Sequence, residues 1–138
     1  MIVKDGAQML PGFLSGIQGL WDELVAVDTG SHDASVALLL DVGATVLHQP
    51  WADDFAAARN HSLDAASGDW VLVLDADEHC SPAFIAQTRA LLGQATIGAA
   101  TVQMRNLREG GTKTLKQLLR CSFASHTHLR HVKSILKL

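Results

Sequence analysis

A chain of 138 residues with 48% apolar residues is long enough to bury the core of one domain, which excludes wholesale disorder. Its longest apolar stretch, residues 36–47, is interrupted by Asp41 and falls short of the about 18 residues of a membrane span. No secretory leader is recognisable, and Cys80 and Cys121 fit neither a zinc site nor a disulfide framework, so we expect a cytoplasmic protein.

The net charge of −3 combines two regions of opposite sign. Residues 1–104 carry three basic residues against 13 acidic ones, whereas residues 105–138 carry eight against one. Such a change of sign indicates regions with different roles. We predict an α/β domain over residues 1–106 and a basic tail over residues 107–138.

Strand-like and helix-like segments alternate in chain order through the first of these regions. Apolar spacing predicts helices at 7–20, 34–43, 53–67 and 81–93, with Ser31, Asp33 and Ser81 as candidate caps. Strands are predicted at 1–5, 23–28, 44–50, 70–75 and 97–106. Because the strands are almost continuously apolar, the pattern predicts a Rossmann-like α/β fold, a mainly parallel sheet with helices on both faces.

Acidic residues stand where two of the predicted strands end. Ligands of parallel sheets bind beyond the carboxyl ends of the strands, and Asp28 and Asp75 occupy those positions. In an extended backbone Asp75 and Asp77 project the same way, and two converging carboxylates repel each other unless a cation lies between them. Mg²⁺ or Mn²⁺ suits such oxygen ligands. The alternative is that Asp77 and Glu78 only begin a loop and cap the next helix.

Two further residues have both a functional and a structural interpretation. Asp28 in "VDTGSHD" either contacts a base or ribose or belongs to an ordinary strand–loop–helix junction. Arg59 is one of three basic residues before residue 105. It either offsets the acidic rim and holds a phosphate, or forms a surface salt bridge to Asp53 or Asp54.

Together, "MIVKD", "LVAVDTGSHDAS" and "GATVLHQPWADDFAAARNHSLDAASGDWVLVLDADE" resemble one family. They look like the nucleotide-sugar-binding half of family 2 glycosyltransferases, which have the GT-A fold. The closest resemblance is to a bacterial subgroup often attached to tetratricopeptide repeats, and it covers about residues 1–106. It implies inverting transfer of a sugar from a nucleotide diphosphate to an acceptor hydroxyl, assisted by Mn²⁺ or Mg²⁺.

The resemblance also implies roles for particular residues. The acid matching Asp28 holds the base, the arginine matching Arg59 lies near the nucleotide, and the acid matching Asp77 reaches the metal on the diphosphate. The implied nucleotide-sugar-binding residues are Val3, Asp5, Asp28, Arg59 and Asp75, and the implied metal ligands are Asp77 and Asp75.

The sequence departs from the family pattern at Gly6, where an acid is common, and at His32, where Thr is usual. After residue 106 no acceptor-binding half and no general base can be recognised, and Glu109 has no motif around it. We therefore expect a truncated GT-A fold, the product of a shortened or frame-shifted reading. Such a fold would bind the donor rather than transfer the sugar by itself.

The partner expected from this resemblance is a nucleotide-diphosphate sugar, with the acceptor and the catalytic residue unknown. No nucleic acid partner is expected. Apolar surface left exposed by a shortened sheet would favour self-association.

Two other classes of protein remain open from the sequence. One is a non-catalytic α/β module whose basic tail binds a partner or an acidic surface. The other is a phosphoryl-transfer domain of the receiver or phosphatase type, for which Lys113 is poorly placed. The histidines at 126, 128 and 131 lack the spacing and flanking acid of a metal site.

Overall fold

A computed structural model describes residues 1–92 in full and, beyond them, the backbone of residues 99–101, 105–108, 111–114 and 121–125. Strands and helices alternate through β5, which confirms the predicted order, and each element is shorter than its predicted segment. The helices are α1 (Leu10–Gly16), α2 (Ser35–Asp41), α3 (Phe55–Ala65) and α4 (Pro82–Leu92). The strands are β1 (Ile2–Val3), β2 (Val25–Asp28), β3 (Thr45–His48), β4 (Trp70–Leu72), β5 (Ala99–Thr101), β6 (Arg105–Arg108), β7 (Gly111–Thr114) and β8 (Cys121–Ser125).

The first three strands form a parallel sheet in the order β1-β2-β3. All four residues of β2 are buried, and successive side chains of a strand point to opposite faces, so both faces of the sheet are covered. Helix α3 packs against β1 and β2. Ala26 joins a core cluster with Phe13 of α1 and Leu39 of α2. The predicted Rossmann-like class is therefore confirmed.

The helix ends follow from local sequence chemistry. Pro11 lies in the first turn of α1, where its missing N–H costs nothing. The Ser81 hydroxyl accepts a hydrogen bond from Phe84 N at the start of α4, as predicted. Gly43 ends α2 with φ 80°, a left-handed conformation that glycine adopts without strain.

The predicted cap at Ser31 is wrong, because its hydroxyl oxygen instead accepts from the backbone N–H of Asp5 at 2.9 Å. Asp33 supports the start of α2 by accepting from Ser35 N at 2.9 Å.

Strands β4 and β5 differ from the prediction in their pairing. The sequence places them in one parallel sheet with the first three strands, but in the structure each pairs antiparallel with β8 in the order β4-β8-β5. Trp70 lies opposite Ser125, and Leu72 lies opposite Phe123. A short apolar run does not encode the direction of its neighbour, so the chain pattern alone could not reveal this strand.

The predicted tail therefore contributes to a sheet through β8, and β6 runs across residue 106. Strands β6 and β7 pair antiparallel in a separate two-stranded sheet. The division at residue 106 stays a prediction. Several residues singled out in the sequence lie outside the part that the structure describes. They are the side chains of Glu109, Lys113 and Cys121 and the histidines at 126, 128 and 131.

Within the described residues, no helix combines the length and apolar character needed to cross a bilayer.

A cavity of about 350 Å³ shows where β4 lies relative to the parallel sheet. Met1 and Val25 line this cavity together with the β4 segment from Trp70. Leu63 of α3 also packs against Val71. Strand β4 thus lies on the β1 side of the parallel sheet, away from β3.

Candidate functional site

Asp28 is the last residue of β2, and its carboxylate is turned into its own loop. The backbone N–H groups of Gly30 and Ser31 donate to it at 3.3 and 3.1 Å, and only 5% of its side chain is exposed. Burial is the largest influence on the Asp28 pKa and raises it, but the contacts from Ser31, Gly30 and His48 together bring the pKa below its ordinary value. Asp28 is therefore held ionised at the carboxyl end of the sheet.

Asp5 lies in the loop after β1 and joins this loop to the one after β2. Its carboxylate accepts from His32 N at 2.7 Å, and it has φ 47°. Gly6 N donates to the buried hydroxyl of Ser35 at 2.8 Å. Both sequence departures, Gly6 and His32, act here through their backbone, so these contacts do not depend on their side chains.

Val3 supports the same region through its backbone. Its carbonyl oxygen accepts from Thr29 N at 3.0 Å and from the Thr29 hydroxyl at 3.2 Å. Its side chain is buried in the core. The structure thus brings Val3, Asp5 and the Asp28 loop together.

Arg59 projects from α3 and pairs with Asp75, not with the neighbouring acids that the sequence offered as alternatives. Its Nη2 lies 2.9 Å from Asp75 Oδ1, and the two side chains are 17% and 31% exposed. Asp54 instead caps α3 through Ala57 N, and Asp53 accepts from the Trp51 indole. The alternative interpretation, in which Arg59 forms a surface salt bridge to Asp53 or Asp54, is therefore wrong.

The amino group of Met1 lies close to this ion pair. It donates to Val25 O at 2.8 Å. Burial first, and then the positive charge of Arg59, lower its pKa to about 5, while the negative charge of Asp75 raises it. The Arg59–Asp75 pair thus lies on the β1 side of the sheet.

Asp75 and Asp77 do not lie in an extended segment as predicted. Strand β4 ends at Leu72, and Asp75 to Glu78 form a turn in which Glu78 N donates to Asp75 O at 3.0 Å. The Glu78 carboxylate accepts from Asp75 N at 3.0 Å. Asp77 is exposed at the tip of this turn, and no contact of its carboxylate is found within the described residues. Asp75 and Asp77 were expected to converge because alternate residues of an extended strand point the same way. That reason is wrong, because the two residues lie in a turn.

The donor set at this turn suits a cation that a ligand helps to hold. Within residues 1–92 and the described strands, no group of three or more His, Cys, Asp or Glu side chains is placed to bind a metal. Mg²⁺ is commonly bound by one or two carboxylates together with substrate phosphates and water. The exposed Asp77 and the partly exposed Asp75 fit this open kind of site and do not fit a closed protein cage.

Sequence reasoning missed His48 and the aromatic residues that follow it. His48 ends β3, and its Nδ1 lies 3.4 Å from Asp28 Oδ2 while 66% of its side chain is exposed. The rings of Trp51 and Phe55 lie 4.5 Å apart with planes at 67°. Their position directly after a strand of the parallel sheet was the available signal.

A comparison with protein families places the chain. The model of glycosyl transferase family 2 matches residues 7–134, nearly the whole sequence. The chain therefore belongs to the family 2 glycosyltransferases, and the resemblance found in its motifs is confirmed.

Individual relatives agree with this membership. A TPR repeat-containing protein of Synechococcus elongatus is 44% identical over 110 residues, which are 80% of this chain and 27% of that protein. An uncharacterized glycosyltransferase of Rickettsia felis is 30% identical over 81 residues, 59% of this chain and 28% of that protein.

Among solved structures, a mannosyltransferase from Pyrobaculum calidifontis in complex with GDP-Man and Mn²⁺ is similar to this fold, with a TM-score of 0.57 and 25% identity. The match covers 75% of this chain and 34% of that protein. The GT-A type of the fold is thereby confirmed. The chain spans only about a quarter to a third of the length of the proteins that it matches.

Proposed function

We propose that this chain binds a nucleotide-diphosphate sugar through a divalent cation, Mn²⁺ or Mg²⁺, as the donor-binding part of a glycosyltransferase. The observation that carries the proposal is the exposed Asp77 carboxylate in the turn that follows β4. Asp77 comes two residues after Asp75, which is paired with Arg59. The family and the similar mannosyltransferase with GDP-Man and Mn²⁺ support it.

The order of the strands suggests how an extended donor would lie. Asp28 and His48 stand at the ends of β2 and β3, and Asp75 with Asp77 follows β4 on the β1 side. A nucleoside diphosphate across these ends would place its base near Asp28 and its diphosphate near Asp77. Val3 and Asp5 would line the pocket between them.

Arg59 would supply positive charge at the diphosphate end. Its Nη2 is used by Asp75, but its Nη1 is buried and has no hydrogen-bond partner within the described residues. A buried donor without a partner is costly, so a ligand oxygen that reached Nη1 would gain a strong charge-assisted hydrogen bond.

The chemistry that follows is sugar transfer with inversion. An acceptor hydroxyl oxygen bonds to the anomeric carbon as the bond from that carbon to the diphosphate breaks, and the hydroxyl proton passes to a base. The cation, when bound, acts as a Lewis acid on the departing diphosphate, and Asp77 with Asp75 would hold it. We assign no residue as the base, and we place the reaction in the cytoplasm on the sequence argument.

Calorimetry with UDP and with GDP, each with Mn²⁺ and with EDTA, tests this proposal. We expect binding of at least one nucleotide only with the metal, and an at least about ten-fold loss of affinity in Asp77→Ala. Asp41→Ala is the matched control, because Asp41 is an exposed acid at the far end of α2. Equal affinity in EDTA, or equal losses in the two variants, would overturn the metal site.

A further inference from the structure

We propose that Trp51 and Phe55, called here the aromatic pair, form the stacking surface for the nucleobase of the donor. This inference rests on the proposed function, because it names the residues that would recognise one part of the proposed ligand. The sequence motifs give neither ring a role.

The aromatic pair is exposed and yet fixed in place. Trp51 is 37% exposed and Phe55 69% exposed, although burying such rings would be favourable. The Trp51 indole Nε1 donates to Asp53 Oδ1 at 2.8 Å. Asp53 itself has φ 56°, in the left-handed region that few residues other than Gly, Asn and Asp adopt readily.

Phe55 is held by the start of α3. It is the first residue of that helix, and the preceding Asp54 caps the helix by accepting from Ala57 N at 2.9 Å. Hydrogen bonds thus hold the Trp51 ring and the backbone around Phe55, and the Phe55 ring contacts that of Trp51. A surface held in this way loses little conformational freedom when a flat ligand binds.

Backbone contacts connect the aromatic pair to the end of β2. Gln49 N donates to Asp28 O at 2.9 Å, and Gln49 Oε1 lies 2.8 Å from His61 Nδ1 of α3. Trp51 follows Gln49 by two residues, so their Cα atoms are at most about 7 Å apart. The backbone that carries the aromatic pair therefore starts beside the strand ends that carry Asp28 and His48.

The order of the strands favours the base over the sugar or the acceptor as the occupant. Trp51 follows β3, at the edge of the parallel sheet opposite β1, whereas Asp75 and Asp77 follow β4 on the β1 side. Phe55 begins α3, which packs on β2 and β1 between these two positions. A nucleoside diphosphate has its base and its metal-binding diphosphate at opposite ends. The sugar and the acceptor would lie at the Asp77 end.

The chemistry at the β3 end also suits a base. Aromatic side chains stack on the faces of nucleobases, and stacking works for any base. Asp28 and His48, at the ends of β2 and β3, would contact the polar edge of that base. Among the described residues the other tryptophans, Trp21 and Trp70, line the cavity between β4 and the parallel sheet instead.

Calorimetry with two ligands separates a base-stacking role from a structural one. One ligand is UDP or GDP with Mn²⁺, and the other is pyrophosphate with Mn²⁺, which has no base. We expect Trp51→Ala and Phe55→Ala to weaken nucleoside diphosphate binding at least about five-fold and to leave pyrophosphate binding unchanged. Trp51→Phe keeps a ring and should recover most of the affinity.

Leu40→Ala is the control, since Leu40 is 56% exposed on α2. Unchanged nucleoside diphosphate binding in Trp51→Ala, or equal losses for both ligands, overturns the inference. A wild-type chain that binds metal pyrophosphate as tightly as nucleoside diphosphate also overturns it, while the proposed metal site stands. A chain that binds neither ligand overturns both proposals.

Discussion

The Asp28 carboxylate has a structural task as well as a position in the site. Gly30 N, Ser31 N and the His48 imidazole all lie within hydrogen-bond or ion-pair distance of its two oxygens. These contacts shape the turn after β2 before any ligand arrives. A ligand would therefore meet a carboxylate that is already oriented and ionised.

This arrangement makes the stability of the chain depend on the charge of Asp28. The pKa of Asp28 in the fold lies below its ordinary value of 3.8. Its contribution to the free energy of unfolding is therefore complete above that value and is lost as the pH falls through the lower folded pKa. We expect Asp28→Asn to lower the free energy of unfolding by about 1–3 kcal/mol at pH 7.

Urea unfolding followed by circular dichroism at pH 7 and at pH 3 measures this dependence. The difference between wild type and Asp28→Asn should shrink at the lower pH, because pH 3 lies below the ordinary pKa of 3.8 and the Asp28 carboxylate of the unfolded chain takes up a proton there. Asp41→Asn, at an exposed acid, provides the control. A difference that stays constant with pH would show that the charge of Asp28 does not hold the loop.

Single residues also show where prediction from sequence ends. The acidic surroundings of Arg59 were visible in the sequence, but its partner was not, because three acids were equally available. The structure decides among them, since Asp54 is used as a helix cap and Asp53 holds Trp51. Only the position of α3 against the sheet brings Asp75 to Arg59.

At the scale of elements, the loops after β1 and β2 act as one unit. Besides the Asp5 contacts, Ala7 N donates to Asp33 Oδ2 at 2.9 Å and Gly6 N donates to the Ser35 hydroxyl oxygen. The Ser35 hydroxyl in turn donates to Asp33 Oδ1. The four bonds that cross between the two loops join residues 26 to 29 positions apart in sequence.

Ser35 is the buried centre of this unit, and its removal should loosen both loops. Ser35→Ala leaves Gly6 N without its acceptor in a buried place, and we expect a loss of about 1–3 kcal/mol in the free energy of unfolding. Thermal unfolding by calorimetry, compared with Ser15→Ala at an exposed site on α1, measures it. Equal stability of the two variants would contradict the expected role of Ser35.

The elements themselves were largely predictable, and their pairing only in part. Apolar runs and caps such as Ser81 mark strands and helices because they reflect local backbone chemistry. The parallel arrangement of β1, β2 and β3 follows from the intervening helices. The antiparallel β8 beside β4 is a long-range pairing, and no local pattern in residues 121–125 predicts it.

At the scale of the whole molecule, β8 connects the two regions that differ in charge. Its central residue Phe123 lies opposite Leu72 of β4 and Ala100 of β5. The family match likewise continues through residue 134. The turn that carries Asp75 and Asp77 begins shortly after β4, so the pairing of β8 bears on the proposed metal site.

Replacement of Phe123 by proline tests this connection. Proline has no backbone N–H and is poorly tolerated in a central strand. We expect Phe123→Pro to remove hydrogen-exchange protection from the amides of Val71 and Leu72, while Val27 of the parallel sheet stays protected. Lys113→Pro, in β7 of the separate two-stranded sheet, should leave Val71 and Leu72 protected. Unchanged protection of these amides in Phe123→Pro would contradict the pairing and favour a detached basic tail.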